Sequence, residues 1–129
     1  MRTSIAVGIA TLVGVSFGGI AVHTLHAQTK APVYYVGEID VTDEAGYQRD
    51  FVPAATKTIQ AGGGRFLARG GKTTALLGEP VKKRVVIQQW DSLDQMMKWW
   101  DSDEQKKLRE IQAKYSKVRA YAVEGVPPK

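Results

Sequence analysis

The chain has 129 residues, a net charge of +5, two histidines and no cysteine. The absence of cysteine excludes disulfides and thiolate sites, and the length suits a single domain with one core. Acidic and basic residues are interspersed without a block of five like charges, which favours a solvated surface over a nucleic-acid-binding one. We therefore predict no nucleic-acid partner.

The N-terminal residues have the pattern of a secretory signal peptide. Arg2 supplies a positive charge, residues 5–22 are uncharged, and Ala27 fits the last position of a cleavage site. The alternative is an uncleaved anchor, although this uncharged segment would extend only ~27 Å as a helix, just short of the ~30 Å hydrocarbon core. We predict a signal peptide over residues 1–27 and a single domain over 28–129, periplasmic or secreted. Membrane contact is expected only if the segment stays uncleaved.

Cleavage after Ala27 would remove both histidines, His23 and His26. The remaining chain would then have neither His nor Cys, which excludes His- or Cys-ligated haem, the usual zinc sites and Ser-His-Asp or Cys-His catalysis. A Mg²⁺ or Ca²⁺ site made only of oxygen ligands would need a spaced ligand loop, and the sequence shows none. We therefore predict no metal and no cofactor.

A strand and a helix open the predicted domain. β-Branched and aromatic residues predict the strand over Val33–Val41. Thr42 or Asp43 can cap the following helix, Pro53 interrupts it, and the glycines at 62–64 end it. Its buried stripe is predicted from apolar residues at four-residue spacing: Tyr47, Phe51, Ala55 and Ile59.

Glycine clusters bracket the next strand, and two capping boxes start the later helices. The predicted segments are a strand over 66–68, a break at 70–71, a resumed strand over 73–77, a hairpin loop over 78–83, a strand over Arg84–Trp90 and a last strand over 117–125. Ser92 and Ser102 each precede Gln by three residues. In the helix that follows Ser92, one apolar face is predicted from Leu93, Met96, Met97 and Trp100. Trp99 lies outside this face. In the helix that follows Ser102, the residues predicted to face the core are Leu108, Ile111 and Tyr115.

The order β-α-β-β-α-β predicts an α+β, ferredoxin-like βαββαβ fold with helices on one face of an antiparallel sheet. Apolar residues fall on both sheet faces: Tyr34, Val36, Val86, Trp90, Ala120 and Ala122. A lone domain has no second helix layer for the far face, whereas a second copy could cover it sheet against sheet. We expect a homodimer in the form of a dimeric α/β barrel.

Several segments of the chain resemble the DUF1330 domain family. They are the run Gly-Gly-Arg-Phe-Leu-Ala-Arg-Gly-Gly at 63–71, the segment 35–43 with Tyr47, Arg-Val-Val-Ile at 84–87 and Val-Glu-Gly at 123–125. The resemblance spans residues 33–125 and implies the dimeric α/β-barrel superfamily, which includes small antibiotic-biosynthesis-type monooxygenases. It implies no established reaction. The exported N-terminus and the lysine-rich link at 80–83 depart from the family pattern.

Arg69 is the first candidate for a ligand site. It lies beside a glycine pair, where backbone can approach a ligand closely, and its guanidinium could hold a carboxylate bidentately. The alternative is a structural salt bridge to Glu38, Asp40 or Glu124. Arg65 and Arg69 would share a sheet face if no bulge intervenes.

Four further residues are candidates for a ligand pocket. Tyr47 could direct its hydroxyl into a cavity, or pack its ring and bond the backbone. Trp90, together with Trp99 and Trp100, could form an aromatic pocket for a flat ligand, although Trp100 is expected in the core. Glu38 and Asp40 alternate onto one strand face, where paired carboxylates can act as acid and base, or simply face solvent. No catalytic residue is assigned.

Three functions are compatible with these residues. The first is an exported homodimer that binds a small anionic or aromatic molecule in its cavity. The second is a cofactor-independent enzyme of the monooxygenase or isomerase kind, which would need an easily deprotonated substrate. The third is a non-catalytic structural role, which a sealed cavity without converging polar groups would favour.

Overall fold

Four strands form one antiparallel sheet in the computed structural model, which describes residues 31–81 and 84–128. The sheet order is β2-β3-β1-β4, with strands β1 Val33–Val41, β2 Arg65–Arg69, β3 Arg84–Trp90 and β4 Ser116–Glu124. This topology confirms the predicted α+β, ferredoxin-like fold. The predicted signal peptide at 1–27, and Lys82 and Lys83 of the predicted hairpin loop, lie outside the described residues.

The first helix, α1, covers residues 44–62 and changes its winding part-way along. It comprises Glu44–Gly46, a π-helical turn Tyr47–Phe51, and Val52–Gly62. Asp43 caps it as predicted, since its Oδ1 accepts the N–H of Gly46 at 3.1 Å. The predicted interruption at Pro53 does not end the helix: Pro53 lies at the start of the α-helical segment that follows the π turn, a position that tolerates proline.

Glycine then turns the chain from α1 into β2. Gly63 has a φ of 101°, a left-handed conformation that favours glycine. The N–H groups of Gly63 and Gly64 bond back to the carbonyls of Gln60 and Ile59 at 3.1 and 2.9 Å. The predicted helix end is therefore confirmed.

The resumed strand predicted over 73–77 is wrong. β2 ends at Arg69, which lies opposite Val86, and the N–H of Gly70 bonds the Val85 carbonyl at 2.9 Å. Only Arg84 then remains on β3 to pair with the chain beyond, so a longer strand would lack a partner. Leu76 and Leu77 are 94% and 97% exposed in the resulting loop.

Two shorter helices complete the layer: α2 is Leu93–Trp100 and α3 is Asp103–Tyr115. Both predicted caps form, because Ser92 Oγ accepts the Gln95 N–H at 3.1 Å and Ser102 Oγ accepts the Gln105 N–H at 3.2 Å. The predicted apolar face of α2 needs correction. Met96 and Trp99 are buried, whereas Leu93 and Met97 are exposed and Trp100 is only half-buried.

The rotation of α2 follows from tryptophan packing. Trp99 stacks on Trp90 with ring centroids 5.0 Å apart and an angle of 30° between planes. Trp100 instead lies under the Arg109 guanidinium, 4.0 Å from the ring centroid. The stack with Trp90 holds Trp99 in the core, whereas Trp100 packs against the core only in part.

Only one face of the sheet packs against the helices, and we call it the covered face. Directly opposed residues in antiparallel strands share a face, which places on it Val33, Tyr35, Ile39, Val86, Gln88 and Trp90. The opposite, open face carries Tyr34, Val36, Val85, Ile87, Tyr121 and Val123. Apolar residues therefore occupy both faces, as predicted.

Candidate functional site

A cavity of about 380 Å³ lies between the covered face, α1 and α3. Its volume falls within the roughly 300–1,000 Å³ of small-molecule sites. Aromatic and aliphatic side chains form most of its wall: Tyr35, Ile39, Phe51, Val52, Ala55, Ile59, Phe66, Val86 and Trp99. The polar lining consists of two arginines, four glutamines and a tyrosine: Arg69, Arg84, Gln48, Gln88, Gln105, Gln112 and Tyr47.

The π turn of α1 brings Tyr47 into this wall. Tyr47 and Phe51 stand at the two ends of the turn, with ring centroids 5.0 Å apart, and both are buried. The Arg84 guanidinium carbon lies 5.1 Å from the centre of the Tyr47 ring. Burial raises the pKa of Tyr47, while the neighbouring Gln112 and Arg84 side chains act in the opposite direction.

Tyr35 is a second phenol in the cavity wall, and its ring packs edge-on to Trp99 at 5.9 Å. Burial, reinforced by Tyr47, raises the pKa of Tyr35 to about 12, although Arg109 opposes the shift. A phenol with so high a pKa keeps its proton at neutral pH. Tyr35 is therefore suited to donate a hydrogen bond and not to act as a base.

A bulge in β2 turns Arg69 toward the cavity. Arg65 lies opposite Gln89 on the open face, whereas Arg69 lies opposite Val86 on the covered face. The register shifts between Phe66 and Ala68, so the two arginines do not share a face, unlike in a regular strand. Because of the bulge, Arg69 faces the cavity and Arg65 does not.

Arg69 has contacts that leave its charge without a carboxylate partner in the described part of the chain. Its guanidinium donates to Thr56 Oγ1 and lies 4.3 Å from the centre of the Phe66 ring. The alternative of a salt bridge to Glu38, Asp40 or Glu124 is wrong, since Glu38 pairs with Arg119 at 3.4 Å and no described ion pair includes Arg69. An exposed arginine held in this way can still donate hydrogen bonds to an anionic group.

Arg84, at the start of β3, is the second cation at the cavity. Its guanidinium pairs with Glu44 Oε1 at 2.8 Å. This pair draws the pKa of Glu44 below its usual value, mainly through the hydrogen bond from Arg84. The sequence placed Arg84 at the start of a strand and gave no sign of a role at the cavity, because strand register alone decides that it meets Tyr47.

Three buried glutamines were also missed. Gln88 Oε1 accepts the Trp90 Nε1 proton at 2.9 Å, and Gln112 lies beside Tyr47. Gln105 is 4% exposed, and its Oε1 has no hydrogen-bond partner among the described residues. A signal was present on α3, since Gln105, Leu108 and Gln112 follow the inward spacing of i, i+3 and i+7.

The other sequence candidates lie away from the cavity lining. Trp90 is completely buried in the core beside Trp99. Glu38 and Asp40 alternate with the covered residues of β1, so they lie on the open side of the sheet. Of the five candidates, the structure brings only Arg69 and Tyr47 to the same cavity.

Sequence comparison identifies the family. Residues 32–126 match DUF1330, a domain of unknown function. The chain belongs to the DUF1330 family. The matched range agrees with the resemblance seen over residues 33–125. Among curated proteins, none matches the chain in sequence.

Solved structures share the fold of this DUF1330 chain. A protein of unknown function from Rhodopseudomonas palustris has a TM-score of 0.57 at 14% identity, with 77% of this chain and 85% of that chain covered. A putative antibiotic biosynthesis monooxygenase from Caulobacter crescentus CB15 has a TM-score of 0.54 at 17% identity, with 81% and 98% covered. At these identities the likeness establishes the fold alone.

Two features are absent from the described part of this DUF1330 chain. Residues 31–81 and 84–128 contain no group of three or more His, Cys, Asp or Glu side chains placed to hold a metal ion. Over the same residues, no helix has the length and apolarity needed to cross a bilayer.

Proposed function

We propose that this DUF1330 protein is an exported homodimer that binds a small anionic aromatic molecule in the cavity between α1, α3 and the covered face. The observation that carries the proposal is the combination of two arginines with an aromatic wall. Tyr35, Tyr47 and Trp99 offer ring surfaces, and Arg69 and Arg84 supply positive charge. Such a site suits a flat ring that bears a carboxylate.

The charge balance of the cavity supports an anion. No Asp or Glu occurs in its described lining. Glu44 compensates Arg84 from outside the wall, while the described contacts of Arg69 are the neutral Thr56 and Phe66. A bound carboxylate would complete the pairing of Arg69 with a charge-assisted hydrogen bond.

A cofactor-independent monooxygenase or isomerase has less support. Such an enzyme needs a group that takes a proton from its substrate. The two carboxylates considered for that role, Glu38 and Asp40, lie on the open side of the sheet. The pKa values of the phenols Tyr35 and Tyr47 are raised. No described side chain in the cavity lining is therefore well suited to act as this base.

A purely structural role also has less support, because polar groups converge on the cavity. Gln88, Gln105 and Gln112 are all buried there. A protein whose interior served only for stability would gain from apolar residues at such positions. The Gln105 amide, whose oxygen has no described partner, is better explained by recognition of a ligand.

The homodimer in this proposal rests on the open face. Tyr121 and Val123 are 47% and 49% exposed, next to Tyr34 and Val36 on the same face. Contiguous apolar surface of this kind is typical of interaction sites. A second copy packed across a two-fold axis would cover it without any other protein.

Binding of simple aromatic acids tests the function. Because Trp99 lines the cavity, its fluorescence should report titration with benzoate and with the neutral isostere benzamide. We expect benzoate to bind roughly tenfold tighter or more, since hydrogen bonds to charged groups contribute about 1.5–3 kcal/mol. Arg69→Ala should remove this preference.

Arg49→Ala is the matched control, because Arg49 is an exposed arginine of α1 that pairs with Asp50 outside the cavity lining. It should keep the preference for benzoate. Native mass spectrometry of the purified protein would in addition reveal a retained ligand and the oligomeric state. If neither benzoate nor larger aromatic carboxylates bind, the proposed function is wrong.

A further inference from the structure

The two Ser-x-x-Gln motifs have the same serine cap, but their glutamine side chains make different contacts. In each, the serine hydroxyl accepts the backbone N–H of the glutamine, at 3.1 Å for Gln95 and 3.2 Å for Gln105. The Gln95 side chain completes its cap, since its Oε1 accepts the Asp91 N–H at 3.0 Å. The Gln105 side chain instead lines the cavity.

Gln105 is buried without using its acceptor. It is 4% exposed, and its Oε1 has no hydrogen-bond partner in the described part of the chain. Buried polar groups are almost always paired, because an unmatched one loses its bonds to water without replacement. A leucine or methionine of similar size would avoid that loss, so the amide needs another explanation.

The neighbouring amides do not share this property. Gln88 Oε1 accepts from the Trp90 indole at 2.9 Å. Gln112 acts on Tyr47, whose pKa it helps to lower against the effect of burial. Of these three buried amides, Gln105 is thus the one whose oxygen has no partner among the described residues, and the residue lines the cavity.

We propose that Gln105 determines specificity by accepting a hydrogen bond from a hydroxyl or amino group on the ligand, which is therefore a hydroxy- or amino-substituted aromatic carboxylate. This inference rests on the proposed binding function. Arg69 and Arg84, from β2 and β3, hold the carboxylate, and Gln105, from α3, holds the substituent. In this arrangement, residues of the sheet recognise the charge of the ligand, and a residue of α3 recognises its substituent.

The test compares benzoate with its ortho, meta and para hydroxy and amino derivatives, titrated by tryptophan fluorescence. We expect at least one derivative to bind the wild type roughly fivefold to tenfold tighter than benzoate, the effect of one added neutral hydrogen bond. Gln105→Leu should abolish that gain. It should also raise the melting temperature, since it removes an unpaired buried oxygen.

Gln95→Leu is the matched control, because Gln95 occupies the same position in the other motif. It should keep the preference for the derivative and lower the melting temperature, since it removes the bond to Asp91. Gln105→Met provides a second apolar replacement of similar length, and the same loss of preference is expected in it.

Each outcome separates the inference from the function on which it rests. If benzoate binds but no derivative binds more tightly, or if Gln105→Leu and Gln105→Met retain the preference, the role of Gln105 is overturned and the binding function stands. If neither benzoate nor any derivative binds, the binding function itself is overturned.

Discussion

The two faces of the sheet are built from the same strands but differ in what they bury. On β1, Val33, Tyr35 and Ile39 pack under the helices, whereas Tyr34 and Val36 between them are only half-buried. The covered face therefore has the core and the cavity, while the open face has an apolar surface and the Glu38–Arg119 pair. A single period-two alternation thus separates the proposed ligand site from the expected dimer surface.

A second contrast lies within the covered layer itself. At one end Trp90, Trp99 and Met96 fill the space between helices and sheet. At the other end Tyr47, Phe51 and Leu108 form a separate cluster, and the cavity extends along the wall between them. Trp90 and Met96 lie outside the described lining of the cavity, so these two residues should contribute to stability and not to recognition.

The largest expected effect comes from the tryptophan end. Trp90→Ala should lower the free energy of unfolding by about 3–5 kcal/mol, because it removes a large side chain that is 0% exposed. Leu77→Ala, in the exposed loop, should change it by less than about 0.5 kcal/mol. Urea denaturation measures both, and equal losses would contradict this assignment of the core.

Charge on the open face should have the next largest effect. Val36→Asp would place a carboxylate in the proposed interface, where an unpaired buried charge costs several kcal/mol. We expect the dimer dissociation constant to rise about a hundredfold or more, as measured by analytical ultracentrifugation. Lys57→Asp, on the exposed side of α1, should leave it unchanged. A wild-type protein that is monomeric at high concentration would refute the dimer.

Sequence patterns predicted the sheet faces better than the cavity. The bounds of β1 and β3, the caps at Asp43, Ser92 and Ser102, and the left-handed end of α1 at Gly63 all depend on local rules and were confirmed. The extra strand predicted over 73–77 was wrong because a strand needs a neighbour with free backbone groups. β3 has almost no unpaired residues beyond the partners of Arg69 and Gly70. Local propensity carries no information on that partner.

The site was harder to predict for the same physical reason. Arg69 and Tyr47 reach the cavity, but the β2 bulge and the π turn that direct them have no clear signal in the sequence. Gln105 was assigned to a capping box, which describes its backbone and not its side chain. Trp90 was expected at a pocket because aromatic residues suit both a ligand and a core, and packing with Trp99 decided for the core.

High pH should weaken the covered layer through Tyr35. Burial raises its pKa from 10.0 to about 12 in the folded protein. Between these values the folded protein keeps a proton that the unfolded chain has lost, so stability is complete below pH 10 and falls as the pH rises toward 12. The loss should be about 2–3 kcal/mol, from 1.36 kcal/mol per pKa unit.

Tyr35→Phe serves as the comparison for this pH effect. It removes the titrating hydroxyl and retains the ring against Trp99, so the fall in stability above pH 10 should become shallower. Chemical denaturation at several pH values measures the slope. An unchanged slope in the variant would show that Tyr35 does not carry the effect.

The smallest expected effect concerns the glycines on either side of β2, one against the helix layer and one in solvent. Gly63→Ala should destabilise the protein by about 1–2 kcal/mol, because its φ of 101° is unfavourable for alanine. Its new Cβ would also meet the Gln95 amide. Gly71 has no positive φ, and a methyl group added to it would meet no described atom within 4 Å, so Gly71→Ala should be within about 0.5 kcal/mol of the wild type. Equal melting temperatures for the two variants would contradict this, since only Gly63 combines a left-handed backbone with a packed neighbour.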